Sequence, residues 1–395
     1  VAAQRLPRGI WVLGLVSMCM DVSSEMIHSL LPVFMVASLG ASALAVGVVE
    51  GIAEATALIV KVFSGALSDR LGRRKGVAVF GYALGAASKP LFALAGTIGW
   101  VLGARFLDRI GKGIRVAPRD ALIADLVPSA IRGSAFGLRQ SLDTIGAFVG
   151  PLLGILLMLA LAGEFRAVFW FAVLPAVLSV TLFAFGVSEP ERAPGAAAPA
   201  DPFRWRTLGE LGGACWFVVG LGAVFTLARF SEAFLILRAR EFGLPDAYAP
   251  AVLIVMNVVY AGLAYPFGKL ADRMSHGRLL AWGLAVLVVA DLVLALAGNL
   301  ALVALGVAAW GLHMAMTQGL LAAMVADAAP ARLRGTAYGL FGVASGVAML
   351  LSSVIAGLLW DRAGAAATFY AGAAFCVGTL ALLAFTSRPA PAAGR

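Results

Sequence analysis

The side chains able to do chemistry gather in two places. One is the stretch Arg105 to Asp125, RFLDRIGKGIRVAPRDALIAD; the other is an upstream trio, Asp21, Glu25 and His28. If the first stretch is helical, the four-three-seven spacing of Arg105, Arg109, Lys112 and Arg119 lays them along one stripe, and Asp108 sits three residues after Arg105 and four before Lys112. Arginines in such a row offer two-pronged hydrogen bonding to a carboxylate or phosphate. Asp21, Glu25 and His28 stand at i, i+4 and i+7, which puts two carboxylates and an imidazole on one helix face. Carboxylates this close in a low dielectric repel, which suits a proton carrier. Two other readings fit the same trio: an ion pair with a base of the Arg105 stretch, and a divalent metal held by carboxylate and imidazole, although no second ligand cluster is visible.

Composition decides what surrounds these charges. Of 395 residues, 61% are hydrophobic and 13% charged, far from a soluble globular composition, so the chain is predicted to be an all-α, polytopic membrane protein. Facing lipid, Arg105, Asp108, Arg109, Lys112 and Arg115 would together cost about 15 kcal/mol, at roughly 2.5–3.5 kcal/mol each. They must therefore face protein, water or a bound solute. The net charge of +9 is spread through short connections, which encodes membrane topology and argues against nucleic-acid binding. Cys19, Cys215 and Cys376 lie in apolar runs without metal-ligand spacing and read as small core residues. No nucleophile triad, phosphate-cradling loop or metal motif is present, so neither an enzyme nor a bound cofactor is expected.

Twelve spans are predicted, at 10–37, 44–67, 76–96, 99–121, 133–161, 166–187, 211–238, 248–270, 278–298, 300–324, 335–360 and 365–386. Val1 to Arg8 is short and basic and the apolar run after it is interrupted by Asp21 and Glu25, which argues against a cleavable signal, and Arg5 and Arg8 argue for a cytoplasmic start. Sixteen basic residues then fall in cytoplasmic segments, against four outside, Arg166, Arg238, Arg240 and Arg362, which also puts the other end in the cytoplasm. The one long polar connection lies at 188–210 and reads as a linker between two six-span lobes, 1–187 and 211–395. The lobes are related: Ala124-Asp125-x-x-Pro128-x-x-x-Arg132-Gly133 recurs as Ala326-Asp327-x-x-Pro330-x-x-x-Arg334-Gly335 at an offset of 202, and Gly65-x-x-x-Asp69-Arg70 recurs as Gly268-x-x-x-Asp272-Arg273 at 203. A duplicated helical membrane protein of this kind points to a transporter.

At these residues the sequence resembles the major facilitator superfamily along essentially its whole length. Gly65-Ala-Leu-Ser-Asp69-Arg70-Leu-Gly72-Arg73-Arg74 looks like that family's loop motif between spans 2 and 3, and Gly268 to Arg278 like its degenerate copy. The resemblance implies that Asp69, Arg73 and Asp125 form a cytoplasmic latch holding the outward-facing state, with Arg70, Asp272 and Arg273 in the same motifs and each glycine permitting close helix approach. Arg105-Phe-Leu-Asp108-Arg109-Ile-Gly111 resembles the family's fourth-span motif linked to proton coupling, with Asp108 where Gln is usual and Arg109 where Gly is usual. Gly146-x-x-x-Gly150-Pro151-x-x-Gly154 resembles the antiporter motif of span 5, where small residues allow tight packing and Pro bends the helix.

The resemblance implies twelve spans in two pseudo-symmetric six-helix lobes, alternating access, no cofactor beyond the proton gradient, and a monomer in the inner membrane whose partners are protons, lipid and a small substrate held among spans 1, 4, 7 and 10. Proton coupling is assigned to Asp21, Glu25, Arg105 and Asp108. Substrate contacts are assigned to His28, Glu54, Arg109, Lys112, Arg229, Glu232, Trp310, His313 and Gln318. Glu50 and Glu54, Lys89, and Arg139 with Asp143 also read as intramembrane pairs; Asp291 has no assigned role. The basic stripe favours an anionic or zwitterionic compound exported by antiport, as in drug or metabolite antiporters. Symport of a siderophore or organic acid is the alternative, and a receptor or scaffold without turnover is the alternative of another class.

Overall fold

The computed structural model describes residues 6–71, 73–128, 131–189, 205–330 and 333–386, less the side chains of 66, 69, 205–207, 385 and 386. Most of the predicted linker 188–210, and the side chain of Asp69, thus lie outside the described residues. All twelve predicted spans are helical, and no strand occurs among the described residues. Span 1 is α1 (Arg8–His28) with α2 (Leu31–Leu39); spans 2 to 5 are α3 (Ala43–Leu71), α4 (Arg74–Ala93), α5 (Ile98–Leu126) and α6 (Arg132–Ala160). Span 6 is α7 (Phe165–Phe171) with α8 (Val173–Gly186), and span 7 is α9 (Gly213–Leu227) with α10 (Ala233–Glu241). Then follow α11 (Ala251–Ala271), α12 (His276–Ala295), α13 (Leu300–Thr317) with α14 (Leu320–Ala328), α15 (Arg334–Ala363) and α16 (Ala365–Thr386). Ten of these stretches are long and apolar enough to cross a membrane. Of the other two, α5 carries Arg105, Asp108, Arg109, Lys112, Arg115, Arg119, Asp120 and Asp125, and α9 stops after 15 residues.

The interruptions have local causes. Pro32 at the start of α2 has no N–H to give the His28 carbonyl four residues back, and the Glu25 carbonyl accepts both the Ser29 N–H at 3.1 Å and Ser29 Oγ at 2.6 Å. Between α13 and α14, Gly319 takes a left-handed φ of +81°, which a side chain would resist.

The chain forms two compact units, one of Val1–Ala41, Ile52–Pro202 and Leu244–Ile254, the other of Ser42–Gly51, Phe203–Gly243 and Val255–Arg395. In the second, the carboxylate of Asp361 accepts from the N–H groups of Ala43 (3.0 Å) and Leu44 (2.9 Å), the orphan donors at the start of α3. That bond, with Gly47 set against the Ser353 carbonyl, explains why the first turns of α3 pack with the second unit.

Inside each unit the same pairings recur. α1 packs on α6 and α8, and α4 on α5 and α8; correspondingly α9 packs on α15 and α16, and α12 on α13 and α16. The duplicated motif has one structural job in both places. Arg132 Nε donates to the Ala124 carbonyl, and Arg334 Nε to the Ala326 carbonyl, each at 3.2 Å, so an arginine beyond the proline turns back to satisfy the end of the preceding helix. The motif's acid pairs with the start of another helix: Asp125 with Arg74 of α4, and Asp327 with His276 of α12 at 3.4 Å. One topological expectation is corrected. Arg238, assigned to an outside loop, is buried in α10, where its guanidinium donates to the Leu294 and Ala295 carbonyls that end α12 and pairs with Glu241 at 2.7 Å.

The α1–α6 contact is set by absence of side chains. A Cβ added at Gly146 would lie 2.8 Å from the Met18 carbonyl oxygen, and one at Gly150 2.8 Å from both the Val22 carbonyl oxygen and Glu25 Cβ. By contrast nothing lies within 4 Å of a Cβ built on Gly268, so close approach is not what that glycine provides. Gly150→Val should therefore cost about 1–3 kcal/mol through overpacking and lower the thermal midpoint in nanodiscs, whereas Gly137→Ala, at an open position, should hold or raise it. Equal midpoints for the two variants would contradict this packing.

Candidate functional site

The first unit gathers its charge around α5. Gly81 and Gly85 of α4 face Gly111 of α5 so closely that a Cβ on Gly111 would stand 2.7 Å from the Gly81 carbonyl oxygen. This lets the flanking long side chains of the two helices reach one another instead of lipid. Arg105, Asp108, Arg109, Arg115 and Arg119 are all buried, and Lys112 is half-buried.

Asp108 is the hub. Lys89 Nζ of α4 donates to its Oδ1 at 2.7 Å and to Ser24 Oγ of α1 at 3.0 Å, and Ser88 Oγ lies 3.3 Å from the same carboxylate oxygen. Arg109 Nε and Arg105 Nη1 stand at 3.9 and 4.0 Å from the other oxygen, Oδ2. Arg109 also reaches across to Glu54 of α3, Nη2 to Oε1 at 3.2 Å. Further along, Arg115 Nη2 lies 3.7 Å from Asp21 Oδ1, with its guanidinium 4.8 Å from the centroid of the Tyr82 ring. Arg119 Nη1 donates to Ser17 Oγ at 2.9 Å, and Ser17 shares a 3.1 Å hydrogen bond with the Tyr82 hydroxyl.

The acidic trio of α1 divides its partners. Asp21 takes Arg115, while Glu25 takes His28, Oε2 to Nδ1 at 3.5 Å. Lys112 is within electrostatic reach of Asp21, Glu25 and Glu54 together. Thus α1, α3 and α5 bring Asp21, Glu25, His28, Glu54, Arg105, Asp108, Arg109 and Lys112 into one cluster. The acids at its edge keep some exposure, 29% for Asp21, 23% for Glu25 and 30% for Glu54, whereas Asp108 and Lys89 have 5% and 1%. Charge in this cluster is accessible on the acids of α1 and α3 and sealed around Asp108. Among the described residues no group of three His, Cys, Asp or Glu side chains is placed to hold a metal.

Two pairings expected from the sequence found partners that it did not name. Lys89 stood isolated in span 3, so its pairing with Asp108 across a helix contact gave no local signal. Arg115 lies off the Arg105–Arg109–Lys112–Arg119 spacing, yet it is the base that meets Asp21.

The other predicted residues belong to the second unit. Arg229 and Glu232 sit in the break between α9 and α10, where the Arg229 guanidinium is 5.8 Å from the centroid of the Phe225 ring. His313 is fully buried with Nδ1 2.8 Å from the Gly283 carbonyl oxygen, and Trp310 is buried with its indole N–H donated to Asp291 Oδ1 at 3.1 Å. Gln318 ends α13 and is exposed. Of the latch residues, Asp125 pairs with Arg74, one position on from the Arg73 that the family motif suggested. Arg70, Arg73, Asp272 and Arg273 are exposed; Gly65 lies 3.4 Å, through a built Cβ, from Ala117 of α5; and Pro151 is buried within α6.

Comparison with known proteins agrees with this architecture. Residues 13–255 and 220–395 match the family model described as Major Facilitator Superfamily. An uncharacterised MFS-type transporter of Methanocaldococcus jannaschii is 32% identical over 366 residues, covering 90% of this chain and 89% of that one. The multidrug resistance protein MdtH of Cronobacter sakazakii is 36% identical over 129 residues, 32% of each chain. Among solved structures, the nucleoside transporter NupG superposes with a TM-score of 0.80 at 13% identity, covering 96% of this chain and 100% of that one, a likeness of fold. The chain belongs to the Major Facilitator Superfamily, and is a multi-pass membrane transporter and not an enzyme.

Proposed function

We propose that this protein is a proton-coupled secondary transporter that exports a small zwitterionic or anionic organic compound by antiport across the inner membrane, with its arginine-rich connections and both chain ends on the cytoplasmic side. The observation that carries the reading is the cluster in which Lys112 and Arg109 of α5 stand among the partly exposed acids Asp21, Glu25 and Glu54. Arg109 and Lys112 supply charge-assisted hydrogen bonds to a carboxylate or phosphate. Asp21 and Glu25 can hold either a proton or the ammonium of a zwitterion, but not both, and that exclusion is the physical basis of exchange. The match of a third of the chain to a multidrug resistance protein supports the outward direction.

One contact favours a second reading. Glu54 occupies Arg109 at 3.2 Å, so protonating Glu54 would free Arg109 for a purely anionic substrate. Proton and anion would then bind together, which is the logic of symport. The sign of coupling separates the two.

In proteoliposomes loaded with a panel of organic zwitterions, anions and cations, an outward substrate gradient should drive protons inward, and Asp21→Asn should abolish that flux and weaken binding of ammonium-bearing compounds while leaving that of purely anionic ones. Protons moving with the substrate would replace antiport by symport, and no coupled flux with any compound would overturn proton coupling. Arg109→Gln should weaken binding of carboxylate-bearing compounds roughly 10- to 100-fold, the equivalent of about 1.5–3 kcal/mol for a charge-assisted hydrogen bond. An equal loss for compounds with no acid group would instead make Arg109 purely structural.

A further inference from the structure

Among the described residues the second unit buries two acids that the α5 cluster does not use, Glu50 of α3 and Asp291. Asp291, on α12, is fully buried. Its Oδ1 accepts the Trp310 indole N–H at 3.1 Å; its Oδ2 has no hydrogen-bond partner, and no Lys, Arg or His pairs with it among the described residues. The surroundings are aromatic and tight. Trp310 packs on Phe230 at 5.8 Å between ring centroids, and Phe230 on Phe369 at 5.6 Å. A Cβ added at Gly372 of α16 would stand 2.5 Å from Asp291 Oδ2 and 3.0 Å from Phe230, so the carboxyl occupies a recess that only glycine leaves open.

The duplication shows what is unusual about this acid. Asp291 and Trp310 each stand 202 residues after Lys89 and Asp108, and both pairs join equivalent helices, α12 with α13 and α4 with α5. In the first unit the buried acid faces a lysine; in the second it faces an uncharged N–H donor. An ionised carboxylate without a cation is expensive to bury, and neutralisation by a proton is the usual outcome.

We propose that Asp291 is a proton-binding site of the second unit, closed by Phe230, whose place in the break between α9 and α10 lets it move as the backbone there rearranges. The other titratable groups around it are Cys376 of α16, which lies within electrostatic reach of both Asp291 and Arg229, Arg229 itself, adjoining Phe230, and His313 of α13, whose ring is 6.4 Å from that of Trp310. This deepens the proton-coupled reading of the transporter, yet the existence of the site does not depend on substrate.

Infrared difference spectroscopy of the protein in nanodiscs at neutral pH tests it. Wild type should show a protonated-carboxyl C=O band that Asp291→Asn loses, and the band should shift down on transfer to D2O as the proton exchanges. Trp310→Phe, which removes the donor to Oδ1, should retain the band and move it to higher wavenumber, a signature that misfolding would not produce. Identical wild-type and Asp291→Asn spectra, a band that never exchanges in D2O, or no shift in Trp310→Phe would overturn the proposal. An intact, exchanging band in a protein with no substrate-driven proton flux would overturn the transport reading alone.

Discussion

The constraint on which the first unit depends is the burial of α5. A span carrying five buried charged side chains can exist in a bilayer only if its neighbours supply partners, and they do so from three directions. Lys89 of α4 meets Asp108, Glu54 of α3 meets Arg109, and Asp21 of α1 meets Arg115. Each partner is within reach because small residues bring the helices close: Gly81, Gly85 and Gly111 between α4 and α5, Gly146 and Gly150 between α6 and α1. Packing and electrostatics are therefore one design. The same glycines that allow contact also fix which charges face each other.

Gene duplication left the skeleton of this design in both units and changed its chemistry. The arginine that closes a helix end, the acid that meets a neighbouring helix start, and the long-range hydrogen bond joining α4 with α5 and α12 with α13 all recur at an offset of 202. What diverged is polarity. Where the first unit has Lys89 with Asp108, the second has Asp291 with Trp310; where the first has Gly111 against a glycine, the second has His313 against Gly283. The first unit thus holds a dense ionic cluster and the second an aromatic enclosure around isolated polar groups.

Much of this was legible in the sequence because membrane insertion restricts the options so strongly. Apolar length marked most of the spans, and the offset of 202 revealed the internal repeat, which the Arg132 and Arg334 hydrogen bonds express as the same local contact in each unit. Helical spacing also grouped Asp21 with Glu25 and Arg105 with Arg109, since neighbours at i, i+4 are fixed by the helix itself. Contacts between helices were another matter. Spacing within α4 says nothing about Asp108 on α5, so the partner of Lys89 was not visible, and the pairing of Arg115 with Asp21 depends on helix rotation that no local pattern encodes. Trp310 looked available for stacking because its bond to Asp291 spans two helices.

Pairing across helices holds the charges of α5, with Lys89 and Asp108 as the innermost pair. A double-mutant cycle on thermal stability in nanodiscs tests this most directly, with Lys89→Met, Asp108→Leu and the combination. Each single change strands a buried charge and should cost about 3–5 kcal/mol, while the double variant, with neither charge, should recover most of that loss. Single losses that simply add in the double variant would show that the two side chains act independently, and that α5 is not held in the bilayer by paired charge.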